Sequence, residues 1–167
     1  KKLIDGESDI EAVVKGTDYE NLDLLPADFT YRHMDTFLAQ IEDPVERFNS
    51  LIKPFAEEYD YIFLDCPPSI SSLSESIFAT ADIVLVPTIP TTLSLRTYQQ
   101  ILAFFEQQGL DKSKVLPFFV MVDRRKKMHR LILQHPPSFM VSLLKSFIPY
   151  ASEVERMGQH RAPLTVF

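Results

Sequence analysis

Short apolar runs alternate with longer amphipathic runs along this chain of 167 residues. An apolar run of four to eight residues that ends at a proline or an acid is typical of a strand buried on both faces. Proline within such a run removes a ladder donor, so we expect Pro117 to interrupt its strand early. The predicted strands are 22–25, 61–64, 83–86 (closed by Pro87), 115–122 and 147–148.

Helical periodicity occupies the intervals between these strands. Asp43 followed by Pro44 is typical of a capped helix start, and a serine cluster precedes another helix. In the clearest helix one face is apolar and Gly109 follows its end, which is typical of a stop signal. The predicted helices are 29–40, 45–57, 72–80, 94–108 and 128–144, the last of them broken at Pro136-Pro137.

Strands that alternate with helices need crossover connections. The pattern therefore predicts an α/β fold with a mostly parallel, doubly wound sheet and helices on both faces. No internal repeat or linker-like tract divides the sequence, so we predict a single domain over residues 1–167.

Composition narrows the classes of function. A net charge of -6 disfavours a protein that coats nucleic acid over its whole surface. A single cysteine excludes an internal disulfide framework and a zinc site built from several thiolates. The sequence contains no apolar run near the length of a membrane span and no signal-peptide pattern, so we expect a cytoplasmic protein without a membrane partner. Its four glycines are widely separated, so no glycine-rich phosphate loop lies within it.

Asp65 follows the apolar run 61–64 and precedes Cys66, Pro67 and Pro68. Ligand chemistry in open α/β sheets lies at the carboxyl ends of strands, and two prolines make the following loop stiff. A carboxylate in this position is a candidate anchor for a metal ion or for a phosphate-bound water. The alternative is an ordinary strand-end aspartate that caps the next helix.

Five segments in order resemble the ParA/MinD family of deviant-Walker P-loop ATPases. The central one is DYIFLDCPPSISSLSESIFATADIVLVPTIP, which ends at Pro90. The Asp-Arg-Arg sequence that begins at Asp123 is closer to the ParA branch. The other matching segments are 21–27, 92–96, 120–125, and 148–149 together with 159–163.

The resemblance implies ATP and Mg²⁺ as cofactors. It identifies Asp65 as the acid that holds Mg²⁺ through water and, with Pro67 and Pro68, as the switch that responds to the γ-phosphate. It places Asp123, Arg124 and Pro149 near the nucleotide base. Val120 and Ala151 replace polar residues of the family pattern, which leaves base specificity open. Cys66 replaces a threonine and is interpreted as a small buried filler.

Family members begin with a strand and a glycine-rich phosphate loop, and neither is in this sequence. We therefore expect the chain to be the C-terminal portion of an ATPase and to be inactive as written. The alternative is a P-loop-less relative that acts as a non-catalytic DNA- or protein-binding adaptor. A third branch, cobyrinate amidation, would need substrate-binding segments that the sequence lacks, and the iron-protein branch needs two cluster cysteines.

A basic run interrupts the acidic background and contains Arg124, Arg125, Lys126, Lys127 and Arg130. It is a candidate binding site for the phosphates of duplex DNA. The alternative is a solvated helix start beside a nucleotide site. The resemblance implies an ATP-dependent homodimer, non-specific duplex DNA binding and a ParB-like DNA-bound adaptor that stimulates hydrolysis. The implied process is chromosome or plasmid partitioning, or intracellular positioning.

Overall fold

A computed structural model describes residues 14–26, 41–66 and 71–166. The chain divides into two compact units, Lys1–Ala81 and Asp82–Phe167. The predicted helix 29–40 and the two prolines Pro67 and Pro68 lie outside the described residues. No helix within the described ranges is both long and apolar enough to cross a membrane.

The first unit contains a small antiparallel hairpin. Strand β1 (Lys15–Gly16) pairs with β2 (Asp23–Leu24). The prediction of a strand at 22–25 is confirmed in type, but Leu24 is 54% exposed, so this strand is not part of a buried parallel sheet. The Tyr59 hydroxyl donates a hydrogen bond to Asp23 Oδ2 at 2.6 Å. Tyr59 directly follows the helix Pro44–Glu58, so this bond joins the hairpin to the end of that helix.

Helix α1 (Pro44–Glu58) begins where the sequence predicts. The Asp43 carboxylate accepts a hydrogen bond from the Glu46 amide at 2.9 Å, and Pro44 occupies the first turn, where its missing amide costs nothing. The predicted cap is therefore confirmed, and it determines where this helix begins.

Helix α2 (Ser72–Thr80) has the predicted bounds but not the predicted cap. Ser71 is the N-cap residue, and its side chain makes no capping hydrogen bond. Its hydroxyl instead lies 3.5 Å from the Ser74 hydroxyl. The helix is held by burial of Leu73 and Ile77, which form a small core, and four partly buried residues pack against them: Ile41, Phe48, Leu64 and Cys66.

The segment 61–64 is not the buried strand that the sequence predicts. It has no strand assignment, and Tyr61 and Phe63 are 81% and 82% exposed. A buried strand needs a hydrogen-bonded neighbour and a cover on each face. No strand in the described part of the chain pairs with this segment, so only Leu64 packs against the α2 core.

The second unit is built on a parallel sheet, as predicted. Its strands β3 (Val84–Thr88), β4 (Val115–Val122) and β5 (Phe147–Pro149) lie in the order β3-β4-β5. Helix α3 (Thr92–Gln107) connects β3 to β4, and α4 (Lys127–Gln134) connects β4 to β5. Helix α5 (Ser152–His160) follows, and 3-10 turns cover Lys112–Lys114 and Leu164–Val166.

Two prolines lie inside strands, contrary to the prediction. Pro87 does not close β3, which runs to Thr88, and Pro117 does not interrupt β4. Strand β5 pairs with β4 only from Phe119 onward, so Pro117 lies where β4 has a strand neighbour on one side. A proline is tolerated in a strand whose ladder does not need the missing amide.

The predicted apolar face of α3 packs as expected. Tyr98 is 2% exposed and Phe105 is fully buried, and Val115 and Phe119 of β4 are also buried. Helix α4 ends at Gln134, so the predicted break at Pro136-Pro137 is confirmed, because these prolines remove two donors and disfavour helical backbone before them. The predicted continuation of the helix to 144 is wrong, since residues 138–144 form turns. Helix α5 escaped prediction, although its first turn contains the acids that favour a helix start.

Two glycines provide a matched test of backbone strain in this unit. Gly109 ends α3 with φ +67°, whereas Gly158 lies within α5, and neither has an atom within 4 Å of an added Cβ. We expect Gly109→Ala to lower the free energy of unfolding by about 1 kcal/mol, because only the left-handed backbone is strained. Gly158→Ala should raise it by about 0.5–1 kcal/mol through helix propensity. Urea denaturation of both variants measures this difference, and equal effects would contradict it.

Candidate functional site

Asp65 directly follows the apolar segment 61–64 in the first unit. Its side chain is exposed, and it makes no hydrogen bond or ion pair with any residue that the structure describes. Leu64 and Cys66, on either side of it, pack against Leu73 and Ile77 of α2. These two contacts hold the backbone and leave the carboxylate free to bind a ligand.

Cys66 has the character of a buried filler rather than of a reactive thiol. It is free and half-buried, and its Sγ lies 3.6 Å from the Leu64 carbonyl oxygen. Burial raises the pKa of the thiol, and the neighbouring Asp65 carboxylate raises it further. Because the thiolate is the nucleophile, a raised pKa lowers reactivity at neutral pH.

In the second unit the carboxyl ends of β4 and β5 lie side by side. Val122 pairs with Pro149, and the Tyr150 amide donates to the Val122 carbonyl at 3.0 Å. The parallel register thereby brings together three predicted base-site residues, Asp123, Arg124 and Pro149. The Arg124 guanidinium lies 5.3 Å from the centre of the Phe147 ring, which is within cation–π range.

The side chain of Asp123 is already occupied. Arg125 donates to both of its carboxylate oxygens, from Nε at 2.9 Å and from Nη2 at 3.0 Å, and the Arg125 amide adds a third bond. These bonds lower the pKa of Asp123 to about 2 and raise the pKa of Arg125. A ligand that used this carboxylate would compete with Arg125, so the Asp123 carboxylate chiefly fixes the loop.

His129 of α4 fixes the same loop through a hydrogen bond to its backbone. It is 3% exposed, and its Nδ1 accepts a hydrogen bond from the Asp123 amide at 3.1 Å. An accepting Nδ1 carries no proton, so the neutral ring is protonated on Nε2. Burial, followed by the charge of Lys126, lowers the pKa of His129, and the Asp123 carboxylate partly opposes this.

This arrangement predicts a pH-dependent stability. Since the folded-state pKa lies below the unfolded value, neutral His129 contributes stability that is present above about pH 6.5 and is lost as the pH falls through the lowered pKa. The slope is at most about 1.4 kcal/mol per pH unit. We expect His129→Gln, whose amide oxygen can accept the same bond, to flatten the profile below pH 6.5. Urea denaturation from pH 7 to 5 measures it, and identical profiles would contradict the assignment.

A backbone irregularity precedes the loop. Met121 has φ +52°, a left-handed conformation that is costly for a residue with a side chain, and the β4–β5 register shifts between Phe119 and Val122. Such bulges redirect the residues that follow them. The bulge therefore sets the direction in which Asp123 and Arg124 leave the sheet.

The basic run forms an exposed surface at the start of α4, which we call the basic patch: Arg124, Arg125, Lys126, Lys127 and Arg130. Arg125 is paired with Asp123, but no ion pair with a described residue neutralises Lys126, Lys127 or Arg130. The α4 N-cap lacks a side-chain hydrogen bond, and the first turn contains no acid. Positive charge at a helix N-terminus is unfavourable because it opposes the helix dipole. A bound anion would neutralise the cations and would also accept hydrogen bonds from the uncapped helix amides.

The described residues contain no cluster of three or more ligating side chains for a metal ion. Mg²⁺ that is held together with nucleotide phosphates needs only one or two carboxylates and keeps several waters. The exposed Asp65 carboxylate, to which no described residue is bonded, fits that requirement. A glycine-rich loop that would bind the nucleotide phosphates is not in this sequence, because its four glycines are widely separated.

Comparison with known proteins gives a consistent result. A family profile described as an AAA domain matches residues 1–116. The chain is 24% identical to the sporulation initiation inhibitor protein Soj of Bacillus subtilis, over 99% of this chain and 67% of that protein. It is 28% identical to a ParA family protein of Chlamydia muridarum, over 62% of this chain and 42% of that protein. The chain thus spans about two fifths to two thirds of the length of these relatives.

Solved structures resemble the fold at low sequence identity. A plasmid partition protein from Borrelia burgdorferi, bound to AMPPNP, has a TM-score of 0.80 at 17% identity, over 97% of this chain and 64% of that one. Apo McdA from Cyanothece has a TM-score of 0.77 at 20% identity, over 98% and 69%. Cobyrinic acid a,c-diamide synthase from Mycobacterium smegmatis, with an ATP analogue and magnesium, has 0.74 at 20%, over 95% and 71%. The fold is that of these P-loop NTPases.

Proposed function

Because this chain belongs to the ParA/MinD family of deviant-Walker P-loop ATPases, we propose that it forms the magnesium-binding and base-contacting part of a ParA-like ATPase. The process that it serves is chromosome or plasmid partitioning, or intracellular positioning. The single observation that supports this most is Asp65, an exposed carboxylate that has no partner among the described residues and is held by the packing of Leu64 and Cys66 on α2.

In this proposal Asp65 orients a water ligand of Mg²⁺. When bound, Mg²⁺ and its waters neutralise the charge that develops on the phosphates during transfer. Asp65 itself only accepts hydrogen bonds from those waters, and its position follows from α2 packing. Pro67 and Pro68 are the proposed switch that connects this position to partner binding.

The ends of β4 and β5 provide the proposed contact surface for the base. The Arg124 guanidinium lies over the Phe147 ring, and Pro149 lies in register with Val122. Val120 and Ala151 are half-buried apolar residues, so specificity would come from backbone groups. The ion pair between Asp123 and Arg125 keeps the loop that follows β4 in place.

The phosphate loop itself is proposed to come from residues outside this sequence. The exposed apolar segment 61–64 supports this, because it has the composition of a strand but no described strand neighbour, and an added strand would supply one. The upstream reading frame tests the idea directly. A glycine-rich loop joined in frame supports the ATPase, whereas a start codon near Lys1 favours the adaptor without catalysis.

The basic patch is the proposed site for non-specific duplex DNA. Exposed lysines and arginines bind phosphates without reading sequence, and an uncapped helix N-terminus adds amide donors. Function in partitioning further requires a homodimer in the ATP state and a ParB-like DNA-bound adaptor that stimulates hydrolysis. Both belong to the proposal, and sedimentation of the complete protein with and without ATP tests the dimer.

A further inference from the structure

The loop between β4 and α4 is held by hydrogen bonds to three parts of Asp123. Its carbonyl accepts a bond from the Lys126 amide at 3.1 Å, and its carboxylate accepts one from the Arg125 amide at 3.0 Å. Its own amide donates to His129 Nδ1 at 3.1 Å. The backbone on both sides of Arg124 is therefore fixed through Asp123.

His129 is the member of this network that belongs to α4. The helix begins at Lys127, so His129 is its third residue. A side chain at the third position can reach back to a backbone amide that precedes the helix, as glutamate does in a capping box. The N-cap residue Lys126 makes no side-chain capping bond. The ring of His129 therefore joins the start of α4 to the end of β4.

This bond requires a neutral ring. A protonated imidazole has hydrogen on both nitrogens and can only donate, so Nδ1 would then present a donor to the Asp123 amide, which is also a donor. His129 is buried, so the charged ring and the released amide would both lack water while the loop stays in place. Protonation of His129 therefore favours a loop that has opened.

The charges around the ring act in the same direction. The basic patch brackets His129 in the sequence, and Lys126 disfavours protonation of the ring, whereas the Asp123 carboxylate favours it. Strands β4 and β5 contain no titratable residue. A charge on His129 would also oppose the dipole at the N-terminus of α4. These groups make the protonated ring costly in the closed loop.

Arg124 is the side chain whose position depends on this loop. It is exposed, and its guanidinium lies 5.3 Å from the centre of the Phe147 ring. Phe147 belongs to β5, whereas Arg124 belongs to the loop after β4. Their contact across the two strand ends is therefore kept only while Asp123, the residue before Arg124, remains bonded to His129.

We propose that His129 is a positioning residue for nucleotide binding: its neutral ring holds the loop so that Arg124 meets the base, and protonation of the ring releases that contact. This inference rests on the proposed function, in which Arg124 contacts the base. His129 itself touches no part of the nucleotide. Acid pH should therefore weaken binding through the base rather than through the phosphates.

Two variants of the complete protein, including its phosphate loop, separate the bond from the packing. His129→Asn places an amide oxygen the same number of bonds from Cα as Nδ1, so it accepts the bond without titrating. His129→Leu fills the site without an acceptor. In titrations with fluorescent mant-ATP at about pH 7.5, we expect His129→Asn to bind within about twofold of the unmodified protein and His129→Leu to bind about three- to fivefold more weakly.

A pH profile distinguishes positioning from a general loss of stability. The quantity is the mant-ATP affinity of the unmodified protein divided by that of His129→Asn, because protonation of the ATP phosphates affects both proteins alike. Since the pKa of His129 is lowered, this ratio should fall below about pH 6.5, toward a loss of about three- to fivefold. Its midpoint should coincide with the titration of His129 followed by NMR of the protein labelled with ¹⁵N-histidine.

Two controls identify the part of the nucleotide and the histidine that matter. Inorganic tripolyphosphate has no base, so its affinity, measured by displacement of mant-ATP, should be the same with and without His129→Leu. His135 is an exposed histidine directly after α4, and His135→Leu makes the same chemical change outside the loop. It should leave both the affinity and the pH profile of the unmodified protein unchanged.

Several results would overturn the proposal. A ratio that is constant with pH, or His129→Asn binding as weakly as His129→Leu, would show that the bond does not position the base contact. An equal loss of tripolyphosphate affinity would assign the effect to the phosphates. An unmodified protein that binds no nucleotide would overturn the proposed function as well, whereas the other results leave that function standing.

Discussion

Replacing Asp65 by alanine is expected to lower Mg²⁺-dependent ATP turnover at least about 100-fold in the protein that includes its phosphate loop. Loss of the carboxylate removes the acceptor for the water ligands of Mg²⁺, and phosphoryl transfer depends almost wholly on positioning and charge neutralisation. The fold should survive, because the Asp65 side chain is exposed and is not among the described residues that pack against the α2 core. Steady-state phosphate release at saturating ATP measures the effect.

Asp60 offers a matched control. It is an exposed aspartate that directly precedes the apolar segment 61–64, so Asp60→Ala makes the same chemical change a few residues away. Turnover should stay within about twofold of the unmodified protein, because no functional contact depends on it. Equal losses in the two variants, or unchanged turnover in Asp65→Ala, would remove Asp65 from the site.

Neutralising Lys126, Lys127 and Arg130 together as glutamine is expected to weaken duplex DNA binding at least about tenfold near 50 mM salt. Each phosphate contact contributes about 0.9 to the slope of log K against log salt, so the slope should fall by about 2 to 3. These three cations are suited to the test because no described residue pairs with them, whereas Arg125 is held by Asp123. Polarisation titrations with a labelled duplex of arbitrary sequence, over a salt series, give both quantities.

The control for net charge is a second triple variant, Lys53→Gln, Arg96→Gln and Lys145→Gln. All three residues are exposed and lie away from the basic patch in sequence, and the change in charge is identical. If DNA binding depends on the patch, this variant should keep the salt slope. Equal losses in both triples would show that overall charge, rather than the patch, determines affinity.

Local signals in the sequence were sufficient for much of the fold. The Asp43-Pro44 start of α1 and the apolar face of α3 depend on neighbours within one or two helical turns, and both were predictable. Strands β3 and β4 were also recognisable from continuous apolar runs. The sequence could place Asp123, Arg124 and Pro149 together only through the resemblance, and the parallel register then shows why they meet.

What escaped prediction depends on partners distant in sequence. Whether 61–64 is buried depends on neighbours for its backbone and faces, which its own apolar pattern cannot specify. Pro117 is tolerated because of which side of β4 is paired, and that is a property of the sheet. The bond from the Asp123 amide to His129 joins a loop to a buried ring, and no spacing rule indicates it.

The exposed segment 61–64 has a colloidal consequence. Tyr61 and Phe63 present two aromatic rings to solvent, and their amides have no hydrogen-bond partner among the residues described. Such an edge is a template for strand addition between molecules, and Asp60 and Asp65 are the nearest charges that oppose it. We therefore expect self-association of this chain in concentrated solution to begin at a few residues beside the candidate site. Light scattering would detect it, while the buried packing of α3 on β4 remains intact.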